Sequence, residues 1–408
     1  MKRAVITGMG VISPVGNTLD EFWQSLVDGR CGIDFITRFD AAEFKVKIAA
    51  EVKDFDPLKY MEKGDLRKTD LFVQYALAAA QQAMEHSALK VSDPYRFGVY
   101  VGSGIGGMDT FVSECRKLVE QGPRRVSPHF IPMMIANIAA GTLAMRHGAK
   151  GPCLPVVTAC ATSAHAIGEA FRAIKYGQAD AILAGGTEAA INPLAVAGFT
   201  NCMALSTKND PAGSSIPFDK RRDGFVMGEG AAILVVEEYE HALARGAKIY
   251  AEIVGYGNTC DAYHVTAPDP ESNSAAEAVR QALREAGELA PAKKIYINAH
   301  GTSTPLNDKA ETLAIKKAFG EDAYELMVSS TKSMTGHMLG AAGAAEAVAC
   351  VKALCEGIAP PTIGYREPDE ECDLDIVPNV SRQAEIGAAL SLSLGFGGHN
   401  ACLAFKRN

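Results

Sequence analysis

Two stretches of the chain repeat one pattern, Ile6-Thr-Gly-Met-Gly10 and Ile253-Val-Gly-Tyr-Gly257, in which an apolar strand ends in Gly-x-Gly. Each stretch opens one half of the sequence, and each half closes on another apolar strand, at 181–184 and at 388–394. Glycines at matched positions indicate that matched turns follow matched strands. The sequence therefore predicts a fold built from two similar halves.

The order of elements inside each half supports this duplication. An Ala-rich helix precedes a short strand, and a later strand precedes a second helix. The matched segments are 71–88 and 275–286 for the first helix, 97–101 and 294–299 for its strand, 154–158 and 326–330 for the later strand, and helices ending near 176 and 354. Helices and strands also alternate by chance in any α/β protein, but the matching turns favour duplication. We predict an α/β fold whose halves, 1–250 and 251–408, share one core.

The composition excludes several classes of function. The 408 residues include 40 Lys+Arg and 48 Asp+Glu, a formal net charge of −8, so no nucleic-acid partner is expected. Two uncharged stretches, 189–207 and 387–405, are interrupted by Asn, Ser and Gly, and no membrane insertion is expected. The chain opens on Met-Lys-Arg and a strand without a signal-peptide cleavage pattern, which predicts a cytoplasmic protein.

One of the ten cysteines has a distinctive position. No Cys-x-x-Cys pair occurs, so free thiols and no metal site are expected. Cys160, however, lies in Thr158-Ala-Cys-Ala-Thr-Ser163, a small-residue turn between a strand and a helix. At a helix N-terminus the dipole and free amides stabilise a thiolate, and the amides can hold an oxyanion. We predict that Cys160 is a nucleophile and that the other nine cysteines fill the core.

Two histidines follow strands of the second half. His300 comes directly after the strand at 294–299, and His337 lies between a strand end and a helix. Because α/β sites assemble at the carboxyl ends of strands, both are expected to face the nucleophile, although a single histidine is more often structural. Lys332 and Glu346 lie on either side of His337 in the sequence, where they can set the pKa of an imidazole.

A glycine-rich run, Leu394-Gly-Phe-Gly-Gly-His-Asn400, contains one aromatic residue, Phe396. Such a run serves as a phosphate-binding loop or as a flexible gate. It lacks the lysine and the spacing of a nucleotide-binding loop, so nucleotide binding is not expected.

Several motifs together resemble the β-ketoacyl-acyl-carrier-protein synthases, most of all the elongating synthase II type. They lie at 158–163, 298–308, 330–343 and 395–400, with a further signature at 217–230. The resemblance covers nearly the whole chain. It implies a thiolase fold, a duplicated five-layer α/β/α/β/α arrangement, in a homodimer. The implied activity is that of a 3-oxoacyl-acyl-carrier-protein synthase, an acyltransferase. It condenses malonyl-acyl-carrier-protein with a Cys-bound acyl chain, with loss of carbon dioxide, in type II fatty acid elongation.

The resemblance also implies roles for single residues. Cys160 would carry the acyl chain, and its amide and that of Phe396 would form an oxyanion hole. His300 and His337 would hold the malonyl thioester oxygen, supported by Lys332, while Glu311 is a motif acid of unassigned role. The implied substrate-binding residues are Ile105 and Phe199 of the acyl pocket, Thr302 and Thr304 on the pantetheine arm, and the acids Glu346 and Asp308.

Acyl carrier protein is the implied partner, and its phosphopantetheine arm carries the substrates, so no cofactor is expected. Because that protein is acidic, a local basic surface is expected on this chain. The candidates are Lys63, Arg67, Lys68, Arg124, Arg125 and Lys208, at each of which ordinary solvated charge is the alternative.

One segment departs from the family pattern. The family often has Asn-Ser-Phe before the Gly-Phe-Gly-Gly run, whereas this chain has Leu392-Ser-Leu394. The change alters hydrogen bonding near Asn298, Glu346 and Ser391, where the resemblance suggests a monovalent cation.

Alternative functions stay open. A ketosynthase of a dedicated polyketide or other secondary pathway would carry the same motifs. A thiolase would have a second catalytic cysteine near the C-terminus, but Cys402 lies in an apolar strand and is expected in the core. An initiating synthase would have Asn in place of His337. A non-catalytic chain-length-factor-like subunit would lack the nucleophile, and Cys160 argues against it.

Overall fold

The computed structural model describes residues 1–407, and within them it contains thirteen strands and thirteen α-helices. The strands are β1 (Ala4–Ile12), β2 (Asp34–Phe35), β3 (Ile48–Ala49), β4 (Phe97–Gly102), β5 (Ala181–Glu188), β6 (Gly230–Glu238), β7 (Ala251–Cys260), β8 (Ile295–Asn298), β9 (Met327–Ser329), β10 (Ile358–Ala359), β11 (Arg382–Gln383), β12 (Ala388–Gly395) and β13 (His399–Lys406). The helices are α1 (Leu19–Asp28), α2 (Lys63–Leu66), α3 (Leu71–Ser87), α4 (Met108–Gln121), α5 (Phe130–Met134), α6 (Ile138–His147), α7 (Thr162–Lys175), α8 (Pro193–Asn201), α9 (Tyr239–Ala244), α10 (Asn273–Ala286), α11 (Pro305–Phe319), α12 (Lys332–Thr335) and α13 (Ala342–Glu356). Two 3-10 turns, Ala159–Ala161 and Leu339–Ala341, lead into α7 and α13.

Nine strands form one sheet in the order β4-β5-β6-β1-β7-β13-β12-β8-β9. The series β4-β5-β6-β1 is repeated by β8-β12-β13-β7, because in each the first pair is parallel and the others are antiparallel. The two series join through a short antiparallel pairing of β1 with β7. The predicted repeat is therefore present in strand order and direction. The domain boundary at residue 250 stays a prediction.

The strand predicted at 154–158 is wrong. The segment belongs to no strand, and the chain before it bridges β4 only at Cys153, where Val99 N donates to Pro152 O at 2.9 Å and Leu154 N donates to Val99 O at 3.0 Å. Pro152 has no N–H group, and the amide of Gly151 donates to Phe97 O at 2.9 Å in its place, so the regular ladder breaks off at this residue. The corresponding strand in the second half, β9, has no proline and pairs with β8 over three residues.

Helices lie on both outer faces of the sheet and between its two halves. Helix α3 packs on the first half, α10 and α11 pack on the second, and α7 and α13 lie buried between the halves. Successive residues of β4 face opposite sides of the sheet. Val99 and Val101 pack in the core with α3, and Tyr100 packs in the central core between the halves. In residues 1–407 no helix is both long and apolar enough to cross a membrane.

The two Gly-x-Gly pairs allow helices to approach the strands closely. A Cβ added at Gly8 or Gly10 of β1 would lie 2.3 or 2.1 Å from a carbonyl oxygen of α3. At Gly255 or Gly257 of β7 the corresponding distances to α10 are 2.0 and 1.7 Å. These distances are shorter than any carbon–oxygen contact, so only glycine fits. The repeated glycines therefore produce the same helix–strand packing in both halves.

The prediction that nine cysteines fill the core is only partly correct. Cys350, Cys372 and Cys402 are buried, and Cys355 is half-buried. The prediction is wrong for Cys31, Cys115, Cys153, Cys202 and Cys260, which are exposed. They lie in loops, at element ends or on the outer side of α4, where one small apolar side chain needs no burial.

Replacing Gly257 by Ala is expected to destabilise the fold by about 3 kcal/mol, because the new methyl group overlaps the backbone of α10. Urea unfolding measures the change. Gly141→Ala in α6 is the matched control, since nothing lies within 4 Å of its added Cβ and alanine favours the helix. Equal stability of the two variants would contradict the packing described here.

Candidate active site

Cys160 lies where an extended segment turns into α7. Ala159 has a left-handed backbone conformation with φ of 52°, and its 3-10 turn continues directly into the helix. The amide of Thr158 donates to Thr162 Oγ1 at 2.9 Å and so closes the turn. Cys160 is only 9% exposed, which places its thiol in an enclosed site at the start of the helix.

Two imidazoles from the second half face this thiol. The Sγ of Cys160 and one ring nitrogen each from His300 and His337 lie within 4.8 Å of one another, and all three residues are buried. The two rings are nearly perpendicular, with centroids 5.3 Å apart. The structure therefore brings the three predicted residues together.

Hydrogen bonds define the tautomer of His337. The amide of Leu339 donates to Nδ1 at 3.2 Å, so Nδ1 is the acceptor of the neutral ring and Nε2 carries the hydrogen. Phe225 packs edge-on against the ring, with centroids 5.0 Å apart. His337 is therefore a hydrogen-bond donor at Nε2.

Lys332 holds His300 in the same tautomer, and Glu311 holds the backbone of His300 in place. The Nζ of Lys332 donates to the carbonyl oxygen of His300 at 2.6 Å and lies 3.3 Å from its Nδ1. Lys332 also pairs with Glu346. Glu311 accepts hydrogen bonds from the amides of His300 and the next residue, at 2.6 and 2.7 Å. With a donor at Nδ1, His300 also donates from Nε2.

Both imidazoles are neutral. Burial lowers the pKa of His300 and of His337 well below the usual value, and the charge of Lys332 lowers both further. Burial acts on Glu311 in the other direction and raises its pKa to about 8, despite its two amide hydrogen bonds. The site therefore offers two neutral N–H donors beside a thiol.

The expectation of a thiolate at Cys160 is wrong for the resting protein. Burial raises the pKa of Cys160 to about 11, while the charge of Lys332 and the amides of Phe396 and Cys160 lower it only in part. Loss of hydration therefore outweighs the helix N-terminus. Both amides nevertheless favour negative charge on the sulfur, which places their N–H groups beside the carbonyl of an acyl group bound there, as an oxyanion hole requires.

A cavity of about 370 Å³ opens on Cys160. The predicted residues that line it are Cys160, Phe199, His300, Thr302, Thr304, His337 and Phe396. Other lining groups, such as Met203, Phe225 and Leu306, are apolar. A cavity of this size and character fits a long, partly apolar substrate that ends at the thiol.

Three predicted substrate-binding residues do not line this cavity. Glu346 and Asp308 are buried, and their carboxylates bind other donors of the protein instead. Asp308 accepts from the amides of Phe218 at 2.8 Å and Ser303 at 3.2 Å, which supports the loop before α11. Ile105 is 37% exposed and also lies outside the cavity.

The six predicted docking residues are all exposed. Lys63, Arg67 and Lys68 belong to α2 and the residues after it, Arg124 and Arg125 follow α4, and Lys208 lies 3.4 Å from Asp223. Their docking role stays a prediction.

Asn298 Oδ1, Glu346 Oε2 and Ser391 Oγ are among the buried oxygens that have no hydrogen-bond partner in the described chain. Asn298 and Ser391 are paired between β8 and β12, and α13, which carries Glu346, packs on both strands. Carboxylate, amide and hydroxyl oxygens are the ligands that hard cations prefer. These residues therefore fit the monovalent cation that the resemblance suggests, and Leu392 removes none of the three.

The thiol and the two histidines also have the spacing of a three-ligand metal site. A divalent cation there would face the amino group of Lys332, which lies 3.3 Å from His300 Nδ1. The positive charge of Lys332 would repel such a cation, and the Nε2 of each ring carries a hydrogen. Both features favour hydrogen-bond donation by the two histidines over metal binding.

Two buried residues of the site were not predicted. His165 bonds Thr158 Oγ1 through Nδ1 at 2.7 Å, and its Nε2 lies 3.3 Å from Asn400 O, at the end of the glycine-rich run. Burial lowers the pKa of His165 to about 4. Glu188 ends β5 and binds the loop after β4. The sequence contained a signal for each of these residues. Glu188 is a lone acid at the end of an apolar strand, and His165 lies on the helix that follows Cys160.

Solved structures define the class of this fold. The ishigamide ketosynthase/chain length factor has a TM-score of 0.93 at 36% identity, covering 100% of this chain and 99% of that chain. A structure titled as a type II PKS acyl-carrier protein in complex with its ketosynthase bound to the hexaketide has a TM-score of 0.91 at 35% identity, covering 100% of both chains. The predicted thiolase fold is thereby confirmed.

Sequence comparison identifies the family. The model for the Beta-ketoacyl synthase N-terminal domain matches residues 1–242, and that for the C-terminal domain matches residues 250–366. The protein belongs to the β-ketoacyl synthase family, and the recognised resemblance is confirmed. The 3-oxoacyl-[acyl-carrier-protein] synthase 2 of Synechocystis sp. is 53% identical over 100% of this chain and 98% of its own. The protein of that name from Coxiella burnetii is 53% identical over 100% and 99%. The chain is an acyltransferase of the condensing-enzyme type, a family that indicates no cofactor.

The raised pKa of Cys160 predicts how its alkylation depends on pH. Because the pKa is about 11, the thiolate fraction and hence the rate of iodoacetamide labelling should rise about tenfold per unit from pH 7 to 9 without a plateau. Peptide mass spectrometry follows the site, and Cys160→Ala identifies its signal. A plateau below pH 8 would show a thiolate already formed and contradict the burial effect.

Proposed function

We propose that this protein elongates acyl chains by condensing a Cys160-bound acyl group with malonyl-acyl-carrier-protein in type II fatty acid synthesis. The observation that carries the proposal is the thiol of Cys160 within 4.8 Å of ring nitrogens of two buried histidines. The name 3-oxoacyl-[acyl-carrier-protein] synthase 2, borne by relatives 53% identical over the whole chain, supports the same substrate class.

In the first step the sulfur of Cys160 attacks the thioester carbonyl of an acyl-acyl-carrier-protein. A carbon–sulfur bond forms to Cys160, the bond to the pantetheine sulfur breaks, and the proton of Cys160 passes to that departing thiolate. The amides of Cys160 and Phe396 are placed to stabilise the negative oxygen that forms in between. Thr302 and Thr304, whose hydroxyls lie 2.9 Å apart in the cavity wall, contact the pantetheine arm.

In the second step His300 and His337 donate their Nε2 hydrogens to the thioester oxygen of the malonyl group. The bond to the carboxylate breaks, carbon dioxide leaves, and the electron pair forms an enolate held by two hydrogen bonds. The enolate carbon then attacks the acyl carbonyl, and Cys160 departs as a thiolate that regains a proton. Neutral donors suit this step because charge develops only on the substrate oxygen. Lys332 keeps His300 in its donor tautomer.

The alternatives have weaker support. A ketosynthase of a secondary pathway would use the same chemistry, but the solved ketosynthases named for such pathways are 35–36% identical, against 53% for the synthase 2 relatives. Cys402 is buried in β13 and does not line the cavity, which disfavours a thiolase. Cys160 at the helix start disfavours a chain-length-factor-like subunit.

Partners and location are also proposed. The complex of an acyl-carrier protein with its ketosynthase supports a carrier-protein partner here. A homodimer would cover the exposed apolar residues Phe111, Ile131, Leu154 and Val157, which lie in α4, in α5 and in the segment that follows the bridge to β4. Free thiols at all ten cysteines suit a reducing cytoplasm.

Incubation with palmitoyl-acyl-carrier-protein is expected to add one palmitoyl group to the wild-type chain and none to Cys160→Ala. The thioester needs the Sγ of Cys160, so intact-protein mass spectrometry detects it directly. Circular dichroism of the variant serves as the folding control. Either an unmodified wild type or an adduct on Cys160→Ala would contradict the proposed chemistry.

Charge reversal at Lys68 and Arg125 should raise the KM for carrier-bound substrates about tenfold and leave a short acyl-pantetheine analogue unaffected, because the analogue lacks the acidic protein surface. Steady-state kinetics with both substrates separate the effects. Lys90→Glu is the control, since this exposed lysine precedes β4 at the strand end opposite the site. An equal loss with both substrates would argue against docking at Lys68 and Arg125.

A further inference from the structure

Glu188 is a fully buried carboxylate next to the site, and the steps above do not use it. Its Oε1 accepts from Ser103 Oγ at 2.8 Å and from Ile105 N at 3.3 Å. Its Oε2 accepts from Gly104 N at 2.9 Å and from Gly340 N at 3.0 Å. Glu188 has no ion-pair partner among residues 1–407, so its charge is balanced by hydrogen bonds to two different segments.

Those two segments touch each other through their backbones. A Cβ at Gly340 would lie 2.4 Å from Gly104 N and 2.8 Å from Glu188 Oε2. A Cβ at Gly104 would also lie 2.8 Å from Glu188 Oε2. The segment 103–105 belongs to the first half and the turn Leu339–Ala341 to the second, so this carboxylate joins the halves at the site.

The turn Leu339–Ala341 leads directly to a reacting group. Leu339, next to Gly340, donates to Nδ1 of His337 and packs in the same apolar cluster as Cys160. Ile105 donates its own amide to Glu188. A shift of the carboxylate would therefore move the backbone support of His337.

A matched arrangement exists in the second half. Glu311 accepts from two consecutive amides, His300 and Gly301, directly after β8. Glu188 accepts from two consecutive amides, Gly104 and Ile105, directly after β4, the strand that corresponds to β8. In each half a buried carboxylate therefore binds the loop that follows the corresponding strand. The loop bound by Glu311 contains His300, a residue of the site.

Retention of this carboxylate has an energetic cost. Burial raises the pKa of Glu188 to about 7, although Ser103 and three amides hydrogen bond to it. A group that is unfavourable to bury and is satisfied only by loop donors is typical of a functional position.

We propose that Glu188 is a positioning residue that ties segment 103–105 to the turn beside His337, so that it holds His337 in the orientation in which Nε2 faces the substrate. This inference rests on the proposed function.

Glu188→Gln tests the proposal, because an NH2 group then faces amide donors in place of an acceptor oxygen. Malonyl decarboxylation, followed as carbon dioxide release, should fall about tenfold or more, since small misplacements of a reacting group have large effects. The rate of decarboxylation divided by the rate of Cys160 acylation by palmitoyl-acyl-carrier-protein, the acylation ratio, should fall at least about threefold, because acylation does not use the Nε2 hydrogen of His337. The melting temperature reports stability separately.

Glu237→Gln is the matched control. Glu237 is also buried, but it pairs with Ala181 at the far end of the β5–β6 strand pair, whereas Glu188 pairs with Gly230. It should lower the melting temperature and leave the acylation ratio and decarboxylation unchanged. Ser103→Ala removes a single donor and should lower decarboxylation and the acylation ratio in the same direction as Glu188→Gln, by less.

The outcomes separate this proposal from the function on which it rests. Unchanged rates in folded Glu188→Gln would overturn it, as would a parallel loss of all rates and of stability. If Glu188→Gln fails to fold, Ser103→Ala decides, and an unchanged acylation ratio there overturns the proposal. A wild-type chain that accepts no acyl group would instead refute the proposed function, and the role of Glu188 with it.

Discussion

The close contact between the first turns of α7 and α13 places the reacting groups. Ser163 Oγ accepts from the amide of Ala344 at 2.9 Å, and a Cβ at Gly343 would lie 2.9 Å from Ala164. A larger side chain would separate the helices. Because the nucleophile turn leads into α7 and the His337 segment leads into α13, this contact between the two halves brings the thiol and the imidazole to one point. The duplicated sheet, with its glycine-dependent helix packing, holds the two helices in that arrangement.

Burial at this point determines the chemistry. Lys332 is almost completely buried and would be strongly destabilising without Glu346 and the carbonyl oxygen of His300 as partners. Its charge and the loss of hydration keep both histidines neutral, and burial keeps Cys160 as a thiol. The same low-dielectric surroundings strengthen hydrogen bonds to an oxygen that becomes negative. A site that disfavours charge in its resting state therefore stabilises charge that develops on the substrate.

The strands and helices of both halves were predictable because periodicity and glycine turns are local features. The strand at 154–158 was predicted wrongly although Pro152, which interrupts its ladder, is visible in the sequence. Other errors were not avoidable. Asp308 and Glu346 bind buried donors instead of lining the cavity, and no spacing reveals which way a carboxylate faces. The protonation state of Cys160 was predicted wrongly because the sequence shows that the residue lies at a helix start. It does not show how completely the thiol is removed from water.

The sequence by itself determined the duplicated α/β fold, the nucleophile at its strand-to-helix turn, and the family, through motifs of consecutive residues. Only the tertiary structure decided that His300 and His337 share one tautomer, that Cys160 is protonated at rest, and that Glu188 joins the two halves. These properties depend on distances between residues far apart in the chain and on the removal of water from around them. Neither quantity is contained in a local pattern of residues, because each arises only when the two halves pack together.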